Sequence, residues 1–483
     1  MQDRPPFLLS GERARLIPVA ADTSKEVRAT SVLLAVMRLV PQFSQCMLET
    51  VGQRTGVRAV VECFTEPVLK TSGTASKVRP DGYVRLRSGR GREWQALIEA
   101  KVGRSELDPQ QILAYAEVAK ENKIDSIITI SNQFVAHPTH APVQLPKVLA
   151  RHVSLHHWSW MFIVTQAKLL LNEYPFDNPL EKLILSEMVL YLRHDSVGTS
   201  RFDRMNKEWK DLVLAVNAGR VLARSDPEVE GAVAAWQQEC RDLTLLMSRN
   251  LGRLVTIKLP RAHREDAVQR VNESCELLAS AQCLECVLDI PDTASEITLR
   301  ADLKRRCVTA SMTLAAPKDK QRISSRVNWL IRQLAKSDPT LVYVEAKFPG
   351  RRPPQQATLG ELRREPGAMD VNGSGLLPYS FTVLMVQDLA GKFSGTRAFI
   401  EELEKFVPAF YENVGQYLQN YVAKPPKLKD ELAESGEPGS RSEVERAAED
   451  AANEAMDQEE EAAILDAPAP AVSVEQNSQG EPM

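Results

Sequence analysis

Ala96-Leu97-Ile98-Glu99-Ala100-Lys101-Val102 sets two ionisable side chains inside an otherwise apolar run. Such a run reads as a buried strand, in which residues i and i+2 share a face. Glu99 and Lys101 therefore point together, and Ile98, Ala100 and Val102 point the other way. A buried unpaired charge costs several kcal/mol, so this couple needs mutual neutralisation or a bound ion. Working outward, the strand spans 94–102, and two more β-like runs precede it at 57–69 and 78–86, separated by Ser/Gly-bearing turns at 71–76 and 88–91. The second and third runs form a hairpin, and Asp81, in Arg79-Pro80-Asp81-Gly82, then stands where it can join Glu99 and Lys101.

Helical periodicity covers 25–50, with Ser24 as N-cap and Pro41 as a kink or stop. Past the third strand, Asp108-Pro109 opens a helix that ends near Asn122. The apolar segment 126–130 reads as a strand covered on both faces, 153–158 as a last strand and 160–171 as its following helix. Helix, three strands, helix, strand, strand, helix is a compact α/β unit. The expected organisation is a leader at 1–24, this unit at 25–175, a helical region at 176–250 and an α+β domain at 251–424. The last has strands at 254–259, 297–303, 308–314, 341–348 and 381–386 and helices around 263–280, 321–336 and 394–420. The segment 425–483 is acidic and rich in Ala, Pro and Ser, and is expected to be disordered.

Two carboxylates and a lysine have a clear chemical use together. Hard oxygen ligands suit Mg²⁺, with Mn²⁺ able to substitute, and a lysine nearby can position or deprotonate a water while the cation neutralises phosphate charge. Burial and the cation are expected to lower that lysine's pKa. Pro80-Asp81 followed by Glu99-Ala100-Lys101 resembles the signature of the PD-(D/E)XK nuclease superfamily, over roughly residues 25–175. Gln111-x-x-x-Tyr115 on the next helix is similar to the Gln/Tyr element of that superfamily's exonuclease-like branches. The resemblance implies a restriction-endonuclease-like mixed sheet flanked by helices. It also implies Asp81 and Glu99 as metal ligands, Ala100 offering its carbonyl, Lys101 acting on the water, and Gln111 and Tyr115 framing the site. A further glutamate from the first helix is expected, Glu26 in preference to Glu49. The activity implied is Mg²⁺-dependent phosphodiester hydrolysis, with DNA preferred to RNA as the polymer, in a setting such as bacterial defence or genome maintenance.

The tripeptide alone is cheap, for Glu345-Ala346-Lys347 repeats it without an upstream Pro-Asp. That copy is expected to be a cross-strand ion pair on a solvated face. Cys283-x-x-Cys286 lacks a second ligand pair at zinc spacing and reads as structural thiols, and His152, His156 and His157 as packing or hydrogen-bonding residues. In the 321–336 helix, Arg322, Arg326, Arg332 and Lys336 fall within one arc, either a stripe that tracks phosphates or simply a solvated face.

The chain has 483 residues and a formal charge of −4. Residues 425–483 carry 16 acidic and 4 basic side chains, which leaves 56 basic against 48 acidic in residues 1–424. The folded part is thus mildly basic, compatible with a polyanionic partner, while the acidic segment suits a basic protein partner or homo-oligomer contacts. Seven irregularly spaced cysteines read as reduced thiols, and with no secretory signal pattern and no apolar run near the ~18 residues of a membrane span, a cytoplasmic protein is expected. The rival readings are a catalytically inactive nuclease-fold module that binds nucleic acid or regulates, and an interaction scaffold that works through the acidic segment.

Overall fold

A computed structural model describes residues 7–13, 24–56, 58–70, 78–89, 91–370 and 375–423. The acidic segment 425–483 lies outside them. Residues Leu8–Arg13, expected to belong to a leader, form strand β1. Ser24 caps α1 (Lys25–Leu39) by accepting from Val27 N. Val40 then breaks the helical path, and α2 (Pro41–Glu49) leaves at 109°, as expected of a proline that cannot continue the preceding helix. Next come β2 (Val60–Leu69), β3 (Gly82–Arg87), β4 (Glu93–Ala100), α3 (Pro109–Glu121), β5 (Ser126–Ser131), the single turn α4 (Lys147–Ala150), β6 (Ser154–Ser159) and α5 (Trp160–Glu173).

These six strands make one mixed sheet in chain order. β1 to β4 pair antiparallel, whereas β4, β5 and β6 run parallel, joined by crossovers through α3 and α4. Helices cover both faces, so β5 is buried along its whole length, as a central parallel strand must be. Ile98, Ala100 and Val102 pack into the core beneath α1, α2 and α5, and Leu97 packs on the opposite face against Ile112 and Tyr115 of α3. The alternation expected for this strand therefore holds.

Three helices follow: α6 (Pro179–Leu192), α7 (Trp209–Asn217) and α8 (Pro227–Leu251). α8 is shared between cores: Leu245 packs with the first sheet, and Val233, Trp236 and Leu243 with the second. The second sheet comprises β7 (Thr256–Ile257), β8 (Cys283–Asp289), β9 (Ile297–Asp302), β10 (Cys307–Ala315), β11 (Val342–Lys347), β12 (Gln355–Thr358) and β13 (Ser380–Asp388). It is antiparallel throughout, in the order β12-β11-β13-β10-β9-β8-β7. Helices α9 (Arg261–Glu265), α10 (Ala267–Ala281), α11 (Ile323–Gln333), α12 (Leu359–Arg364) and α13 (Thr396–Phe410) complete this α+β part. Burial alternates along β9 to β11, the signature of a sheet with one covered face. β8 and β12 were not expected from the sequence.

No single helix among the described residues is long and apolar enough to cross a membrane. α1 and α2 are apolar because they are core helices, with Leu33, Leu34, Phe43 and Met47 fully buried.

Candidate active site

The β3–β4 register, in which Gly82 faces Ile98 and Tyr83 faces Leu97, carries the chain just before β3 back alongside Glu99 and Ala100. Asp81 is fixed there by backbone. Its Oδ2 accepts from Ala100 N at 2.8 Å, and its carbonyl accepts from Glu66 N at 3.0 Å. Glu66 adopts φ 46°, a left-handed conformation costly for this residue type, within β2. Its side chain pairs with Arg79 at 3.2 Å, so one strained residue holds both ends of the Arg79-Pro80-Asp81 turn. Gly82 lets α1 press onto this point. A Cβ there would stand 2.5 Å from Leu34 Cδ1 and 3.2 Å from Ile98 Cβ.

Glu99 is 1% exposed and both of its oxygens are engaged. Lys101 Nζ donates to Oε1 at 2.5 Å and the Tyr115 hydroxyl to Oε2 at 2.9 Å. Gln111 Nε2 in turn donates to the Tyr115 oxygen at 2.7 Å, one helical turn away on α3. The Arg79 carbonyl lies 3.2 Å from that hydroxyl, but a single proton serves the carboxylate better. Glu26, in the first turn of α1, places Oε1 3.4 Å from Val102 N. Glu49 takes no part: its carboxylate accepts from Gln45 on its own helix. Asp81, Glu99, Ala100, Lys101, Gln111, Tyr115 and Glu26 are therefore brought together, Ala100 through its N–H. The sequence reading missed Glu66, the Arg79 carbonyl and Trp160, whose Nε1 donates to the Lys101 carbonyl at 2.8 Å. A lone tryptophan opening a helix gave no signal of that role.

The electrostatics follow from this crowding. Burial, then the Glu99 charge, pushes the Asp81 carboxyl up to about 7, against the lowering effects of the Ala100 N–H and Lys101; Glu26 adds to the rise. Burial pulls the Lys101 ammonium down, but Glu99, Asp81 and Glu26 more than offset it and hold it above its ordinary value. The expected lowering is not what these neighbours produce. Burial and Glu99 also push the Tyr115 phenol well up, so it remains a donor.

With all three carboxylates ionised, the one lysine leaves an excess of two negative charges, the complement of a divalent cation. The donors are hard oxygens, and Asp81 Oδ1 and Glu26 Oε2 make no hydrogen bond among the described residues. Among those residues no three His, Cys, Asp or Glu side chains form a ready cluster for a metal ion. Mg²⁺ does not require one, since it keeps several waters and is commonly held by one or two carboxylates. The donor set fits in charge and kind, with Asp81 and Glu99 as the residues that would hold the ion.

The other candidates resolve differently. Neither a phosphate-tracking stripe nor a solvated face takes in all four basic residues, because Arg326 is only 7% exposed and clamps the carbonyls of Lys320, Pro378 and Lys318 at 2.8, 2.6 and 3.3 Å. Arg322 sits at the N-cap of α11, Arg332 in its last turn, and Lys336 beyond its end. Glu345 and Lys347 lie 4.0 Å apart along β11 on its less buried face, a pairing within one strand and not across two. Cys283 and Cys286 are buried in β8. His157 donates from Nε2 to the Gln133 carbonyl at 3.0 Å, with Nδ1 2.9 Å from the Thr129 hydroxyl, and burial lowers both His156 and His157 to about 4. No protein-family model matches the chain, and no curated protein matches it in sequence.

Proposed function

We propose that the protein is a metal-dependent phosphodiesterase acting on nucleic acid, with DNA the favoured polymer and Asp81, Glu99 and Lys101 at its centre. The observation that carries this reading is the crowding around Asp81. It is a half-buried carboxylate, fixed by the Ala100 amide, set beside two others, with one oxygen left over among the described residues. Nothing about folding calls for that arrangement, since like charges in a low-dielectric site cost stability. Asp81 and Glu99 would hold the ion, which when bound neutralises phosphate charge and makes a coordinated water more acidic. Lys101, kept cationic by Glu99, points its donors at a phosphate oxygen or the attacking water. Gln111 and Tyr115 hold Glu99 in place, and Trp160 fixes the backbone of Lys101. The resemblance to PD-(D/E)XK nucleases and the basic excess of residues 1–424 point the same way.

A second reading is favoured by one specific observation: both oxygens of Glu99 are satisfied by Lys101 and Tyr115, as in a structural ion pair. On that reading the chain binds nucleic acid or regulates without cutting. Purified protein incubated with single- and double-stranded DNA and RNA, with Mg²⁺ or Mn²⁺ and with chelator, separates the two. Cleavage that requires metal and is lost in Lys101→Ala and Asp81→Ala supports hydrolysis. Binding without cleavage supports the second reading.

A further inference from the structure

Arg270 of α10 is a cation with no counterion among the described residues. Its guanidinium makes no hydrogen bond or ion pair among the described residues. The groups that face it are the Cys240 and Cys286 thiols and the His140 imidazole, none of them a carboxylate. Burial pushes the Cys240 thiol well up, and burial likewise keeps His140 below its ordinary value, so neither neutralises the arginine. Most of the Arg270 side chain is withdrawn from water. A charge so placed is costly unless something pairs with it.

Arg270 lines a cleft of about 350 Å³ between the loop after β5, α8 and α10. Phe134, Pro142 and Val271 give it apolar walls, and Gln133 and Gln238 contribute amides. Gln238 Oε1 is used by Phe134 N, whereas Gln133 Oε1 is buried and accepts no hydrogen bond. Glu230 also lines the cleft, at the end shared with Arg224 and Cys275, and is not among the charges acting on Arg270. One open cleft therefore presents a cation unpaired among the described residues together with apolar surface, and an unpaired acceptor is buried in its wall. This is the composition of a small-ligand site.

We propose that this cleft binds a small organic anion, a carboxylate or phosphate monoester, whose oxyanion pairs with Arg270 and whose apolar ring or chain lies on Phe134 and Val271. The site is separate from Asp81, and the inference stands or falls independently of phosphodiester hydrolysis.

Calorimetric titration and thermal unfolding of the full chain in chelator test it. The charged probes are adenosine 5′-monophosphate and N-acetyltryptophan, and adenosine and N-acetyltryptophanamide are their uncharged counterparts. At least one charged probe is expected to bind tenfold or more tightly than its counterpart, to lose that advantage in Arg270→Gln, and to bind Asp81→Ala as it binds wild type. The phosphate and carboxylate arms tell the two sources of the oxyanion apart. Without ligand, Arg270→Met is expected to raise the unfolding temperature, because an uncompensated charge is removed. Binding of neither charged probe, binding indifferent to Arg270→Gln, binding lost in Asp81→Ala, or a lowered unfolding temperature in Arg270→Met overturns the proposal.

Discussion

Glu-Ala-Lys occurs twice in this chain, in β4 and in β11, and in both copies the two charged side chains share one face of a strand. Around Glu99 the neighbours are Lys101 at 2.5 Å, Tyr115 at 2.9 Å, and Asp81 anchored to the intervening Ala100. Around Glu345 the cross-strand partners are Thr382 and Gln356, with Lys347 4.0 Å away. The tripeptide is identical; the neighbours differ. A half-buried carboxylate supplied just ahead of the preceding strand and a helix laid across the face turn a surface ion pair into a charged, crowded site. The motif is thus only as informative as what the sheet brings to it.

The largest expected difference between the copies is in cleavage. Lys101→Ala should reduce metal-dependent hydrolysis by about 10³-fold, and Lys347→Ala should leave it within about twofold. Equal losses from the two would erase the distinction. Acid should discriminate next. His157 supports Thr129, the register partner of Glu99, and its folded value of about 4 lies below the ordinary 6.5. The neutral ring's contribution is therefore complete above pH 6.5 and is lost as pH falls toward 4, a change of roughly 3 kcal/mol for one such group. Hydrogen exchange measured across this range should show β5 and β6 opening before β10 and β13; the reverse order would contradict it.

Tyr115→Phe removes the donor to Glu99 and strands Gln111 Nε2. A loss of about 1–2 kcal/mol is expected in denaturant unfolding, together with reduced cleavage. The smallest effects on stability concern charge alone. Asp81→Asn keeps an acceptor for the Ala100 N–H but removes a like charge, so it should raise stability by about 1 kcal/mol while abolishing cleavage. Glu345→Gln, at a half-exposed pair, should change stability by less than about 0.5 kcal/mol. If Asp81→Asn proves destabilising, the crowding described here is not what governs the site.

Much of this was legible because it depends on short-range pattern. Hairpin geometry sets Asp81 beside Glu99, and helical spacing sets Gln111 beside Tyr115, so both follow from residue counts. What failed depends on tertiary partners. A helical wheel places Arg326 with its basic neighbours, yet three carbonyls from outside α11 draw it inward. The charged residues Glu239, Arg241 and Asp242 interrupt the apolar pattern of α8, yet all three are buried. β1 and β12 are short edge strands with little apolar signal, and β8 was obscured by reading Cys283 and Cys286 as a spacing and not as alternating strand residues. Glu66 could not be foreseen, because nothing in its local sequence announces a left-handed turn within a strand.

The central claim is that Asp81 and Glu99 share a divalent cation. Mn²⁺ titrated into substrate-free protein, followed by the loss of the free-ion paramagnetic resonance signal, tests it without any assay of cleavage. One site is expected in wild type and in Glu345→Gln and none in Asp81→Asn. Mn²⁺ binding that is absent from wild type, or unchanged in Asp81→Asn, would contradict the account.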